Sequence, residues 1–373
     1  MIGLKLVSEV TADGLVVLRL VETPIGKPQP DQVIVRVDAA PVNPSDIGLM
    51  LAGAKPSEFQ RSNDADGKAV LVARLPAHAL DLMAARIGHP LPVGNEGAGI
   101  VIDAGSSVRH MLGLTVAVLG GGMYAQYRTV TADDCIVLPE DVTPQQAASA
   151  WVNPMTASGM VHTMRSEGHT AIVHTAAASS LGQILNRLCA RDGIALVNIV
   201  RNATQADILR ALDARWIVRS DEPDFALQLT NAIEETRATI AFDAVGGGGL
   251  AGEILSAMDQ VFRRDMPHFS RYGSSVHKQI YIYGGLDSRP IVLDRDWGMQ
   301  WSVGGWLLTP FLERIGPLER TRLRQQIAEQ ITTVFASSYT DAVPLTALVE
   351  PEAIARLGVP LTGAKYLVEP GRL

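Results

Sequence analysis

Up to residue 140 the apolar residues come in short runs, continuous or alternating with polar ones. Leu15 to Leu20, Val33 to Val37, Gly99 to Ile102 and Thr115 to Val118 are each bounded by Gly, Pro or Asp. That pattern predicts short strands and tight turns, a small barrel-like β domain. From Pro144 to Arg165 the period becomes helical, interrupted at Asn153-Pro154, where proline breaks or kinks a helix. Thr170 to Asn202 is the clearest stretch. Ala171 to His174 reads as a buried strand. Leu181, Ile184, Leu185, Leu188 and Cys189 form the stripe of a helix packed on a sheet, and Asp192-Gly193 stops it. Ile194 to Val200, a second apolar run with no polar face, suits a central parallel strand. Together they make a βαβ unit of about thirty residues.

Beyond it the pattern predicts helices near Thr204 to Leu212 and Asp224 to Glu235, a strand from Ile240 to Val245, and a helix from Leu250 to Phe262. A polar surface loop should span Arg263 to Lys278, and a last strand Ile280 to Tyr283, before Gly284-Gly285. A helix rich in Arg and Glu is expected over Glu313 to Gln330. Alternating strands and helices imply the α/β class with a doubly wound parallel sheet, whose ligands sit at the strand ends that carry the glycines.

The turn inside the βαβ unit carries the candidate chemistry. A dinucleotide-binding turn needs small side chains, so that N–H groups at the helix start can meet a pyrophosphate. Here Ala176 to Ser180 replace the usual glycines and Gly182 remains. Taken alone, such a turn fits equally an α/β domain that binds nothing. Arg201-Asn202 changes the balance, because it stands at the end of the second strand, where an NAD site carries an acidic residue. A guanidinium there suits the 2′-phosphate of NADP(H).

The 373 residues are comfortable for two domains. Net charge is −7 and pI about 5.6, which argues against a nucleic-acid surface but not against one basic pocket. Cys135 and Cys189 cannot build a disulfide framework or a thiolate zinc site, which fits a cytoplasmic chain. Glu9 and Asp13 interrupt the N-terminus before a signal sequence could form, and no uncharged run reaches membrane-spanning length. The clusters Val42-Asn43-Pro44-Ser45-Asp46 and Gly94-Asn95-Glu96-Gly97 read as turns on residue chemistry alone.

In order along the chain, AAPVNPSDI, GNEGAGIV, GGMYAQY, VNPMTASGMV, TAAASSLGQ, VNIVRN, FDAVGG, YGGL and TGAKYLVEP resemble the medium-chain dehydrogenase/reductase superfamily. The resemblance is strongest to its zinc-free branch of NADPH:quinone oxidoreductases and 2-enoyl thioester reductases. It implies a GroES-like β domain over residues 1–147 and 336–373, a Rossmann domain over 148–335, and a cofactor cleft between them. It implies that Asn153 and Thr156 lie by the nicotinamide and its ribose, and that Ala178, Ser179, Ser180 and Leu181 cradle the pyrophosphate. Arg201, Asn202 and Ala203 would hold the 2′-phosphate. Tyr283, Gly284, Gly285 and Leu286 would meet the nicotinamide end, Trp306 in Gly305-Trp306-Leu307 and Lys365 would contact the cofactor, and Asn43 would face the cleft. A homodimer joined at the sheet edge near Ile280 to Tyr283 is also implied.

The chain departs from its zinc-dependent cousins, which have Cys near Asn43 and His at the position of Asn95, so no metal is expected. It also lacks the tyrosine that follows NPSD in enoyl reductases and donates a proton there. Residues 51–90 are longer than usual, polar over Ser57 to Lys68 and apolar over Ala69 to Ile87, reading either as a surface insertion or as a lid or pocket wall that reshapes substrate access. The expected activity is hydride transfer from NADPH to a small-molecule quinone or enone. The rivals are a 2-enoyl thioester reductase acting on CoA or acyl-carrier substrates and a non-enzymatic NADPH-binding or sensing protein. Tyr124 is expected to pack rather than act as an acid.

Overall fold

The computed structural model of the chain describes residues 1–359 and 361–372. They form two compact units, Met1–Val152 with Arg324–Leu373, and Asn153–Leu323. Residues 148–152 and 324–335, expected with the parallel sheet, thus fall in the first unit.

In that unit β1 (Ile2–Val10) and β2 (Leu15–Pro24) make an antiparallel hairpin, and β3 (Gln32–Pro41) leads into helix α1 (Pro44–Leu51). The long 51–90 segment is not a loose surface loop but is paired into the sheet of this unit. It contributes β4 (Gln60–Asn63), β5 (Ala69–Arg74) and the short α2 (Ala77–Leu82). β5 pairs antiparallel with β2, Leu71 opposite Leu18, and both side chains are buried in the β core. Then come β6 (Leu91–Pro92), β7 (Glu96–Ala104), β8 (Thr115–Leu119), β9 (Tyr127–Thr131), β10 (Cys135–Val137) and α3 (Pro144–Ala147). One sheet runs β4-β5-β2-β1-β6.

The second unit opens on α4 (Val152–Ser166). The expected interruption at Asn153-Pro154 is instead its start. Proline is tolerated in a first helical turn, where no intrahelical acceptor awaits its missing N–H. β11 (Ala171–His174), α5 (Ser180–Asp192), β12 (Ala195–Val200), α6 (Ala203–Arg210), β13 (Trp216–Arg219), α7 (Phe225–Thr236), β14 (Ile240–Asp243) and α8 (Leu250–Arg264) alternate as expected, with β13 unforeseen. β15 (Lys278–Ile282) is followed by a further strand, β16 (Trp301–Gly305), and then α9 (Leu308–Glu329). The sheet is parallel throughout, in the order β13-β12-β11-β14-β15-β16. Ile280 to Tyr283 is therefore not the sheet edge: β15 is paired on both sides and the edge belongs to β16. The expected loop also shrinks at both ends, since α8 extends to Arg264 and Lys278 begins β15, fully buried against Asp259 at 2.8 Å. α9 begins before Glu313 and breaks at Gly316, whose φ of 74° and ψ of 175° are not helical, just before Pro317.

The chain then completes its first unit with β17 (Tyr339–Pro344), α10 (Pro351–Leu357) and β18 (Lys365–Glu369). β18 inserts between β3, antiparallel, and β17, parallel, to give the sheet β10-β8-β7-β3-β18-β17, with β9 also on β3.

Candidate functional site

In the second unit, strand order reverses between β11 and β14, on either side of which β12 and β15 lie. At such a switch point the loops leaving two neighbouring strands diverge and open a crevice. The loop from β11 runs Thr175 to Ser179, with Ala176 in the left-handed region at φ 49°. Ser179 caps α5, its Oγ accepting the Gly182 N–H at 3.1 Å. A Cβ on Gly182 would sit 2.1 Å from the Ala177 carbonyl oxygen, so only glycine permits the helix to start this close to the turn. Ser180 and Leu181 open the helix, and their N–H groups have no intrahelical acceptor. Arg201 follows β12, exposed, its side chain without a partner among the described residues, and Asn202 caps α6 by accepting the Gln205 N–H at 3.0 Å.

The loop from β14 is tied to the first. Thr175 Oγ1 donates to Asp243 Oδ1 at 2.7 Å and accepts the Ala244 N–H at 2.8 Å, while Asp243 accepts the N–H groups of Val245 and Gly246. Leu286 N–H bonds Ala244 O, and a Cβ on Gly246 would meet the Gly284 oxygen at 2.2 Å, so the loops after β14 and β15 run in backbone contact. Beside them is a pocket of about 340 Å³, whose lining includes Tyr281, Tyr283, Gly284, Trp306, Phe311 and Arg314. Trp306 is held rigidly, donating Nε1–H to Thr163 Oγ1 at 3.1 Å and packing its ring on Phe242 and Phe311. Behind Tyr283 lies His174, fully buried, its Nε2 2.7 Å from the Tyr283 hydroxyl. Burial pushes the imidazole down to about 3 and the Tyr283 phenol well above its ordinary range.

The first unit holds a separate buried polar cluster. The Glu96 carboxylate, at the start of β7, accepts from Asn43 Nδ2 at 3.0 Å and from the N–H groups of Trp151 and Val152 at 3.0 and 2.8 Å. Lys365, the first residue of β18, donates to Asn43 Oδ1 at 2.7 Å and to Ser149 Oγ at 3.3 Å. Asn43 is thus fixed at both ends of its amide. Asp46 accepts the N–H groups of Asn43 and Asn95 at 2.8 and 2.7 Å, and burial raises its carboxyl to about 6. Burial lowers the Lys365 ammonium, against the pull of Glu96 and Asp46. Tyr124 is buried with its hydroxyl on Pro41 O at 3.1 Å.

The sequence-derived candidates therefore group within each unit. Asn43 and Lys365 bond each other. Ala178, Ser179, Ser180 and Leu181 build one helix start, with Arg201 and Asn202 after the neighbouring strand. Tyr283, Gly284 and Trp306 line one pocket, whereas Gly285 is exposed and the side chain of Leu286 stands in solvent at 64% exposure. Asn153 and Thr156 lie in the first turns of α4, Thr156 buried. Sequence reasoning passed over Glu96, Ser149, Thr175, Asp243 and His174. Of these, Glu96, Thr175 and Asp243 stood inside the motifs GNEGAGIV, TAAASSLGQ and FDAVGG, where a signal could have been read. Among the described residues no group of three or more His, Cys, Asp or Glu is disposed to hold a metal ion, and no helix is long and apolar enough to cross a membrane.

Residues 29–140 match the alcohol dehydrogenase GroES-like domain. The mitochondrial enoyl-acyl-carrier-protein reductase of Xenopus tropicalis is 27% identical over 301 residues, 77% of this chain and 71% of that protein. The Bos taurus enzyme of the same name is 26% identical over 70% of this chain and 60% of its own length, so the alignment leaves a large part of these relatives unmatched. Among solved structures, a Mesorhizobium loti protein described as an NADPH:quinone reductase superposes with a TM-score of 0.71 at 23% identity, over 99% of this chain and 98% of that one. The Escherichia coli quinone oxidoreductase, solved with NADPH, gives 0.67 at 18% identity, over 99% and 100%. Residues 29–140 thus carry a GroES-like match in one unit, a doubly wound parallel sheet fills the other, and over most of its length the chain is similar to these reductases in sequence and in fold.

Proposed function

We propose that the chain is an NADPH-dependent oxidoreductase that delivers hydride to a quinone or an α,β-unsaturated carbonyl without zinc. The observation that carries this reading is the start of α5. Its small residues and unpaired N–H groups at a switch point, with an unpartnered Arg201 after the next strand, have the chemistry of a pyrophosphate and 2′-phosphate site. NADPH, when bound, supplies the hydride. Ser180 and Leu181 would hold the pyrophosphate through backbone N–H groups, and Arg201 with Asn202 the 2′-phosphate. The loops tied together by Thr175 and Asp243 would keep that surface rigid, and Tyr283, Gly284 and Trp306 would wall the reacting end. Leu286 and Gly285 could contribute only backbone groups, since the Leu286 side chain points into solvent. Conjugation already activates the acceptor, so hydrogen bonds to its oxygen can take the place of a Lewis acid. Asn43 and Asn95 offer amides, not thiolate or imidazole, where zinc-dependent cousins hold their metal.

The test is NADPH oxidation with 1,4-benzoquinone, 9,10-phenanthrenequinone and crotonyl-CoA in parallel, and NADH as control. Quinone turnover with NADPH and little with NADH supports the reading. Tight NADPH binding without turnover of any acceptor would overturn it in favour of a sensing role. The named enoyl reductase relatives favour a second reading, 2-enoyl thioester reduction, which crotonyl-CoA as best acceptor would bear out. We also infer a cytoplasmic homodimer, joined at the edge strand β16. Sedimentation of the purified chain as a monomer at micromolar concentration would sink the dimer.

A further inference from the structure

The tyrosine that donates a proton after NPSD in the enoyl reductases is absent from this chain, yet a phenol lines the pocket of the second unit from another direction. Tyr283 follows β15, and its hydroxyl is 2.7 Å from His174 Nε2, with the two rings nearly parallel at 14°. His174 is 0% exposed and its Nδ1 has no hydrogen-bond partner among the described residues. Burial keeps the ring neutral, so one nitrogen carries a proton and the other is bare. Buried N–H groups left without an acceptor are rarer in folded chains than acceptors left without a donor. The bare nitrogen is therefore Nδ1, and Nε2–H donates to the Tyr283 oxygen. Tyr283 then has a proton of its own to give, and no described residue receives it.

We propose that the Tyr283 hydroxyl is a catalytic hydrogen-bond donor to the acceptor's oxygen, and that His174, by donating Nε2–H to it, is the positioning residue that aims this proton into the pocket. The inference rests on the reductase reading above. As hydride adds to the acceptor carbon, the π electron pair moves onto the conjugated oxygen. The Tyr283 O–H meets the charge there and keeps its proton, because burial holds the phenol far above neutrality. Water supplies the proton that completes the reduction. The pocket, about 340 Å³ and walled by Trp306 and Phe311, suits a compact planar acceptor such as a quinone.

Three measurements test this. In Tyr283→Phe, kcat with 9,10-phenanthrenequinone should fall by about 10²- to 10³-fold, the loss expected for one oxyanion donor, while NADPH affinity by fluorescence titration stays within about twofold. A kcat retained within about threefold would overturn the proposal. His174→Gln, which keeps an N–H at the ε position, should preserve most of the rate, whereas His174→Leu should lose it about tenfold or more. Equal loss in both would remove His174 from the argument. Finally, ¹⁵N NMR of the cofactor-free chain, assigned by difference against His174→Gln, should find Nε2 protonated. An Nδ1–H tautomer overturns the proposal whatever the activity. If the wild-type chain turns over no acceptor, the reductase reading fails while the tautomer result still decides the direction of the bond.

Discussion

A neutral imidazole buried at the end of β11 ties the second unit to acid. The folded ring titrates at about 3 against an ordinary 6.5, so as pH falls the unfolded chain takes up this proton first. The stability His174 contributes is complete above about pH 6.5 and is lost progressively toward pH 3, at most about 1.4 kcal/mol per pH unit. Urea unfolding at pH 7 and 4.5, followed by tryptophan fluorescence, to which Trp216, Trp297, Trp301 and Trp306 of this unit contribute four of the chain's five indoles, should find a steeper acid loss in wild type than in His174→Gln. Asp46, raised to about 6, acts with the opposite sign in its own unit: its contribution is full below 3.8 and lost as pH rises through 6. Gly182 gives a sharper residue-level expectation. With a Cβ 2.1 Å from the Ala177 oxygen, Gly182→Ala must push the turn open, at a cost of about 1–3 kcal/mol and with weaker NADPH binding by titration. Gly182 and Arg201 were legible because their chemistry is local to one βαβ unit. Glu96, Thr175 and His174 were not, because their meaning lies in partners 53, 68 and 109 residues away.

Among elements, those that announce themselves are the ones whose period a sheet or helix core imposes. The α5 stripe and the largely apolar β12, with Asn198 its one polar residue, were readable for that reason. β16 was not: Trp301-Ser302-Val303-Gly304-Gly305 is an edge strand whose alternation, Trp301 and Val303 against Ser302, is too short to read before two glycines end it. β13 is only four residues long and equally faint. The 51–90 segment misled in another way. Its polar half drew attention to a surface insertion, while Val70, Leu71 and Ala73 carry a strand into the core. Leu71→Ala should therefore destabilise the first unit by about 2–5 kcal/mol, measured by denaturant midpoint, where a surface loop would lose almost nothing. Removing the α5 cap with Ser179→Ala should cost about 1 kcal/mol.

At the scale of the molecule, two units with separate cores need not melt together, and a ligand held by one of them should stabilise that one. NADPH at about a hundred times its dissociation constant should add about 2.7 kcal/mol to the transition of the second unit. Arg201→Ala should shrink that gain at equal NADPH concentration and leave the effect of NADH unchanged, as calorimetry can determine. The two-unit plan and the class of the sheet were visible in the order of the motifs. The closure of the first unit was not, since nothing in Lys365 or its neighbours says that β18 will lie between β3 and β17. That insertion sets a timetable for biosynthesis. Lys365 reaches Asn43 across 322 residues, and the Ala40-Pro41 end of β3, beyond the stretch that β9 covers, leaves an edge unpaired until β18 emerges. At about 5–20 residues per second a ribosome leaves that edge open for on the order of twenty to sixty seconds, long enough to recruit a chaperone or a neighbouring nascent chain. Translation stalled short of residue 365 should release a product that aggregates through its β domain.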